Sequence, residues 1–457
     1  MLLSNAFDAF LAQRPMCVMA RAALEHLLDP GHVDALFAAT AERGYQKELL
    51  FSTLVDLFSD VVLRVEPSAH AAYRRRADVG VSAAALYKKL NGVEPGVSAA
   101  LVADSGRRAR AVIDALGAAH DPWLPGYRCR VVDGNLLGGT EHRIKELRAT
   151  WAAPLPGRAL VVLDPEGMLA TDVVLTPDGH AAERALLDRV VPLAGPRDVW
   201  IADRNFCTLG FLFGVAGRLG FFVVRQHGSL AGELIGGRKR RGRTHTGVVY
   251  EQKVRLTDPA TGRSRVWRRI TVELKEPTRD GDAELHLLTS LPAAKAPAAA
   301  VCDLYRRRWT LETVFQEITT TLACEVPSLG YPRAALFGFC LALLAYNAVS
   351  VLKAALRAAH GGPAVTATVS GYYIALEVRQ AADGMAVVLP AAAWEWFGRA
   401  TAADLAAWLR TAAAGVDLRR YRKHPRGPKK PPPKRAAYQN GGHVSTDRLL
   451  RQRKSPR

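Results

Sequence analysis

At 457 residues, with 49% hydrophobic content and a mean hydropathy of −0.01, the chain is long enough for two or three globular domains with a sizeable core. A formal charge of +19 and a pI near 9.9 point to a polyanionic partner, nucleic acid first and an anionic membrane surface second. Six cysteines at 17, 129, 207, 302, 324 and 340 form no CxxC pair, which argues against a zinc site or disulfide framework and for a reduced, cytoplasmic protein.

The opening "MLLSNAFDAFLAQRP" has no basic start before an apolar run, and Asp8 interrupts it, so no secretory signal is expected. Residues 1–122 read as a helical N-terminal region. Within it, "ADVGVSAAALYKKLNGVEP" has Gly80 and Ser82 ahead of an apolar-periodic helix bearing Lys88 and Lys89, a candidate DNA-contacting helix-turn-helix or an ordinary N-capped helix.

From Tyr127 the period changes. "YRCRVVDGNLL" reads as a strand, and "RALVVLDPEG" and "LATDVVLTPDG" as a hairpin joined at DPEG. "HAAERALLDRVVPLA" has helical spacing. "DVWIADRNF", "TLGFLFGVAGRLG" and "FFVVRQHG" follow as strand, helix and strand. This order predicts an α/β fold for residues 123–417, a mixed sheet with helices on its faces. Residues 226–291 break the rhythm as a β-rich insertion of three strands, "VVYEQKVRL", "SRVWRRITVEL" and "AELHLLTSL". The insertion carries "GGRKRRGRTHTG", with Arg238, Lys239, Arg240, Arg241 and Arg243, a run expected as a solvated loop or a DNA contact.

The segment "CDLYRRRWTLETVFQEI" predicts one helix. At 100° per residue, Tyr305, Arg308, Glu312 and Thr319 fall within a sector of roughly 60°, beside an apolar stripe of Leu304, Leu311, Phe315 and Ile318. Taken alone, that face is an exposed i,i+4 Arg308–Glu312 pair. Asp133 and Asp203, each closing a predicted strand, change the reading. If those strands are parallel neighbours, both carboxylates emerge at one rim and Glu312 closes the group from the side. Three convergent carboxylates need a compensating cation. Mg²⁺ prefers oxygen ligands, and two such ions suit a phosphodiester displacement. Arg308 and Tyr305 would then hold the phosphate.

The run "AALFGFCLALLAYNAVSVL", residues 334–352, is uncharged and long enough to span a membrane. Asn347, Ser350 and Gly338 within it favour a buried core helix. Residues 418–457 hold 14 Lys/Arg against one acid, a net +13 that leaves +6 for the rest. Their proline and lysine content predicts an extended or disordered arm able to lie on phosphates.

The ordered motifs resemble DDE transposases of bacterial insertion sequences, specifically the family named for insertion sequence 4, whose signature is Tyr-x2-Arg-x3-Glu-x6-Lys. "YRRRWTLE" supplies Tyr305, Arg308 and Glu312; "VVDGN" and "IADRNF" resemble the two Asp motifs; "EHRIKELR", "LLTSL" and "HVSTDRLL" also look like family sequence. The resemblance covers most of the chain from about residue 80. It implies a ribonuclease-H-like core, and Asp133, Asp203 and Glu312 as catalytic ligands of Mg²⁺, with Mn²⁺ able to substitute. It also implies DNA contacts by Tyr305 and Arg308, and cut-and-paste cleavage of transposon ends by a dimer on double-stranded DNA. Thr319 stands where the signature has lysine. That departure keeps a second expectation open, a catalytically impaired or repurposed DNA-binding protein; the apolar run keeps a third, a membrane-associated one. Among other acids, Glu141 is the credible substitute ligand, Asp164 reads as a turn residue, and Glu317 points to a different face. Trp267 reads as a structural tryptophan.

Overall fold

The computed structural model describes residues 5–43, 48–76, 79–138, 144–148, 151–278, 281–326, 328–424 and 442–454. Seven helices come first: α1 (Asn5–Gln13), α2 (Pro15–Leu27), α3 (Pro30–Thr40), α4 (Phe51–Val62), α5 (Ala69–Arg75), α6 (Ala83–Gly92) and α7 (Pro95–Leu116). Strand β1 (Arg128–Leu136) follows, then β2 (Ala153–Leu155), β3 (Arg158–Asp164) and β4 (Leu169–Thr176). The "HAAERALLDRVVPLA" stretch is not one helix. It breaks into a 3-10 turn, the single-turn α8 (Leu187–Val190) and a second 3-10 turn that contains Pro192, where proline removes a backbone donor.

Then come β5 (Asp198–Ala202), α9 (Leu209–Gly217) and β6 (Phe221–Arg225), followed by β7 (Glu233–Arg243), β8 (Gly247–Thr257), β9 (Ser264–Leu274) and β10 (Glu284–Thr289). The chain continues through α10 (Ala298–Arg307), α11 (Trp309–Thr321), α12 (Pro332–His360), α13 (Gly362–Thr368), α14 (Gly371–Val388), α15 (Glu395–Arg399) and α16 (Ala402–Ala414). It closes with β11 (His443–Ser445) and α17 (Thr446–Lys454).

The architecture is mixed α/β. One nine-stranded sheet runs in the order β4-β3-β1-β5-β6-β10-β9-β8-β7. Strands β1, β5 and β6 are mutually parallel; the others pair antiparallel. Strand β5 is buried along its whole length and the middle of β6 likewise, which is why both read as continuous apolar runs. The insertion does not form a separate sheet. Strand β10 pairs with β6, so β7–β10 extend the central sheet.

Alternation of side chains across the pleat divides the core between the two faces. Val131, Ile201, Val223 and Ile270 face α10, α12 and the N-terminal helices, whereas Val132, Trp200, Phe222 and Trp267 pack with α8 and α9. Trp267 stands edge-on to Phe213 and Phe222, ring centroids 4.9 and 5.0 Å apart, as a packing residue. Helix α12 is the described helix long and apolar enough to cross a membrane, and its most apolar window is wholly buried. Its polar Asn347 has a specific task. The side chain accepts from Ala170 N at 2.8 Å and donates to Ala170 O at 2.9 Å and Ser105 Oγ at 3.2 Å, pinning the β4 edge to α12 and α7. Helix α7 crosses β4 at Gly106, where an added Cβ would stand 2.9 Å from Ala170 O.

Candidate active site

The site begins with the register of β1 and β5. Cα partners run Arg128↔Asp198 to Val131↔Ile201 in parallel. Two residues beyond the last pair come Asp133 and Asp203, on the face shared by Val131 and Ile201. Asp203 follows the last residue of β5, but Asp133 does not close its strand as expected: β1 runs on to Leu136, because residues 133–136 stay paired with β3 after the pairing with β5 has ended. Asp203 initiates the 3-10 turn Arg204–Phe206, its Oδ1 accepting from Asn205 N at 2.7 Å. Asp133 Oδ1 accepts from Gly134 N at 2.9 Å.

The helix expected over residues 302–318 is interrupted. It divides at Arg308, where Arg308 N donates to Tyr305 O and Leu311 N to Arg308 O, both at 3.0 Å. These three-residue steps tighten the junction between α10 and α11. Arg308 is 7% exposed. Its Nη1 donates to Asp133 Oδ2 at 2.8 Å and its Nη2 to Glu312 Oε1 at 2.9 Å. One guanidinium at the helix junction thus joins a carboxylate of β1 to one in the first turn of α11. Glu312 also lies in the first turn of α11, where the helix dipole favours an anion.

Burial pushes the Asp133 carboxyl up to about 6; Arg308 opposes the rise, and Asp203 and Glu312 add to it. Burial raises the Tyr305 hydroxyl pKa as well, with Arg308 opposing. Burial works against the charge on Arg308, but Tyr305, Asp133, Glu312 and Asp203 outweigh it and its pKa is raised. Asp133, Asp203, Glu312, Arg308 and Tyr305 therefore act on one another electrostatically, although they come from β1, the turn after β5, and the α10–α11 pair.

Three carboxylates against one guanidinium leave a net charge of about −2, and an all-oxygen donor set suits a hard divalent cation. With Arg308 between Asp133 and Glu312, no group of three or more acidic, histidine or cysteine side chains closes to metal-binding range among the described residues. The donor chemistry fits a divalent metal ion, and Arg308 engages one oxygen of Asp133 and one of Glu312.

The other acids fall elsewhere. Strand β3 is antiparallel to β1, so Asp164 lies at the opposite rim, paired with Arg110 at 2.8 Å and accepting from Glu166 N within the turn. Glu317 pairs with Lys353. Glu141 lies outside the described residues, as do residues 425–441 of the basic tail. Ser82 caps α6, accepting from Ala85 N at 3.2 Å; Lys88 is exposed, whereas Lys89 donates to Leu49 O.

Two residues near the site carry no signal in the motifs. Glu183 lies behind the sheet against Gly134, 3.3 Å from Arg158 and 3.5 Å from Asn205 Nδ2, bracing the ends of β1 and β5 from the far face. Arg64 donates to Thr319 O at 3.2 Å and Leu322 O at 3.0 Å, which sets a guanidinium at the end of α11 beside Thr319. Only the fold brings either residue there.

Residues 124–348 match the family described as Transposase DDE domain, a span that contains all five residues of the cluster. That stretch of the chain is similar to the transposase DDE domain. A protein of Sinorhizobium fredii named "Putative transposase y4zB" is 31% identical over 124 residues, 26% of this chain; the match spans about a third, 32%, of that protein's length. The synaptic complex of piggyBac transposase with hairpin DNA aligns over 85% of this chain and 80% of that one, at 12% identity and a TM-score of 0.33.

Proposed function

We propose that the chain is a DNA transposase of a bacterial insertion sequence, in the family named for insertion sequence 4, with a ribonuclease-H-like core. In this reading it carries out Mg²⁺-dependent cut-and-paste transposition, Mn²⁺ substituting, as a dimer on double-stranded DNA in the cytoplasm. The observation that carries the proposal is the parallel register of β1 and β5, with Asp133 and Asp203 two residues past the last pair and Arg308 tying Asp133 to Glu312. The strand order β4-β3-β1-β5-β6, with β3 antiparallel, supports the ribonuclease-H-like part.

Asp133, Asp203 and Glu312 would hold the ion. A divalent ion so held acidifies water and stabilises charge on the entering and leaving oxygens of a phosphodiester. Arg308, released from one carboxylate, keeps its charge and turns a donor pair toward a phosphate oxygen. Tyr305 holds the guanidinium in place, 5.9 Å from its ring centroid, and adds a neutral hydroxyl donor.

The test is incubation of purified protein with labelled element ends and Mg²⁺ or Mn²⁺. Cleavage is expected to fall on the order of 10²–10³-fold or more in D133A or D203A, a range typical of losing one transition-state contact. Cleavage that survives alanine at both positions removes the site. Thr319 favours a second reading, a DNA-binding relative that has lost catalysis. Its hydroxyl turns back to Phe315 O at 2.8 Å and offers no cation. Salt-dependent DNA binding without any metal-dependent strand cleavage would select that reading; cleavage that depends on Arg64 would remove its basis.

A further inference from the structure

The basic run 238–243 is a strand. It forms the second half of β7, at the edge of the sheet and paired only with β8. All but one of its eleven residues are exposed. Glycines at positive φ, Gly236 and Gly242, accompany two register shifts that bend the strand.

Topology fixes where this strand ends. Strands β5 and β6 run toward the acidic rim; β10, β9, β8 and β7 then alternate in direction. The carboxyl end of β7, with Arg240, Arg241 and Arg243, therefore lies at the rim that carries Asp133 and Asp203. The tip of the β7–β8 hairpin, Thr244 to Thr246, projects there too. Five strand steps of roughly 4.8 Å separate β5 from β7, about 24 Å along a rim that turns with the sheet.

Not every cation on β7 is spoken for. Arg238 pairs with Glu284 at 2.7 Å and stacks over Tyr250, and Arg241 pairs with Glu251 at 3.2 Å. Lys239, Arg240 and Arg243 make no side-chain hydrogen bond or ion pair among the described residues. Edge strands are commonly blunted by charge and bulges against sheet-to-sheet pairing. Lysine is the usual charge for that purpose, yet every charge from 238 to 243 is positive and all but Lys239 are arginines, whose planar fork suits phosphate.

We propose that the β7 edge is a docking surface for the phosphate backbone of duplex DNA. It engages the duplex about seven base pairs from the reacting phosphodiester, taking 3.4 Å per base pair over the 24 Å separation. The proposal rests on the transposase reading above. The contacts are to phosphates, so they position the duplex without reading its sequence.

The experiment compares full-length wild type with K239Q/R240Q/R243Q in metal-free buffer. Binding to a labelled 40-base-pair duplex is followed by fluorescence anisotropy from low to moderate salt. A control variant, R197Q/R218Q/K295Q, removes three exposed cations from the opposite rim. The β7 variant is expected to lower the log K–log salt slope by up to about 2.7, near 0.9 per phosphate contact, with the control unchanged. A charge-keeping variant, K239R/R240K/R243K, should bind like wild type and exclude misfolding as the cause. Equal slopes in the β7 variant and the wild type, or equal losses in the control, overturn the proposal while leaving the transposase reading standing. Absence of duplex binding by the wild type overturns both. A change in oligomeric state with unchanged DNA slopes assigns the edge to a second copy of the chain and overturns the DNA surface.

Discussion

The two edges of the central sheet solve one problem in opposite ways. At the β4 edge, Asn347 supplies a donor and an acceptor to Ala170, standing in for one rung of a missing strand under the cover of α12 and α7. At the β7 edge α10 comes near the strand but leaves nearly all of its residues exposed, and its defences are bulges and positive charge. A buried edge must satisfy its backbone with protein groups; an exposed one leaves that to water and is free to carry charge for another purpose.

The largest stability effect should come from breaking the covered edge. N347A leaves the Ala170 amide and carbonyl without partners in a dry interface, at a cost of roughly 3 kcal/mol in denaturant unfolding. A loss no greater than that of an exposed substitution would dissolve the contrast.

An intermediate effect separates the carboxylates at the two ends. Asp133 has its pKa raised by burial to about 6, so ionising it costs stability. Between pH 4 and 6 the unfolded chain releases this proton and the folded chain keeps it, so wild type loses stability as pH rises through that window. D133N is therefore expected to be more stable than wild type above pH 6, by about 2.7 kcal/mol, and equal to it near pH 4. Glu251 is the reverse case. Burial raises its pKa, but hydrogen bonds and charge from Arg268 and Arg241 outweigh that and hold it below the usual range. E251Q should lose about 1.5 kcal/mol at neutral pH, and the deficit should disappear as pH falls through the lowered pKa. Thermal unfolding across pH reads both signs in one experiment.

The smallest effect sharpens the comparison most. K239Q/R240Q/R243Q should change unfolding free energy by no more than about 0.5 kcal/mol, because exposed side chains without partners contribute little. A large destabilisation would mean that the cations hold the strand rather than a ligand.

Much of the acidic end was legible in the sequence. Strands β1, β3, β4, β5 and β6 fall on apolar runs bounded by turn residues, and the spacing of Tyr305, Arg308 and Glu312 survives the helix break because both halves keep helical geometry. Strand β7 was not legible. With both faces exposed it needs no apolar alternation, so its composition reads as a loop; pairing with β8 alone makes it a strand. Strand β2 was hidden for a different reason, since its parallel partner β11 lies nearly three hundred residues later. The break at Arg308 went unseen because it needs no proline or glycine.

Sequence alone determined the local terms: where the apolar strands lie, which helical positions share a side, and where positive charge accumulates. Those follow from backbone periods and composition, which act over a few residues. Tertiary structure decided that β1 and β5 are parallel neighbours, that Arg308 bridges Asp133 and Glu312, and that the basic end of β7 reaches the same rim. These depend on pairings between distant segments, whose free energy comes from burial and hydrogen bonds that exist only once the sheet has assembled.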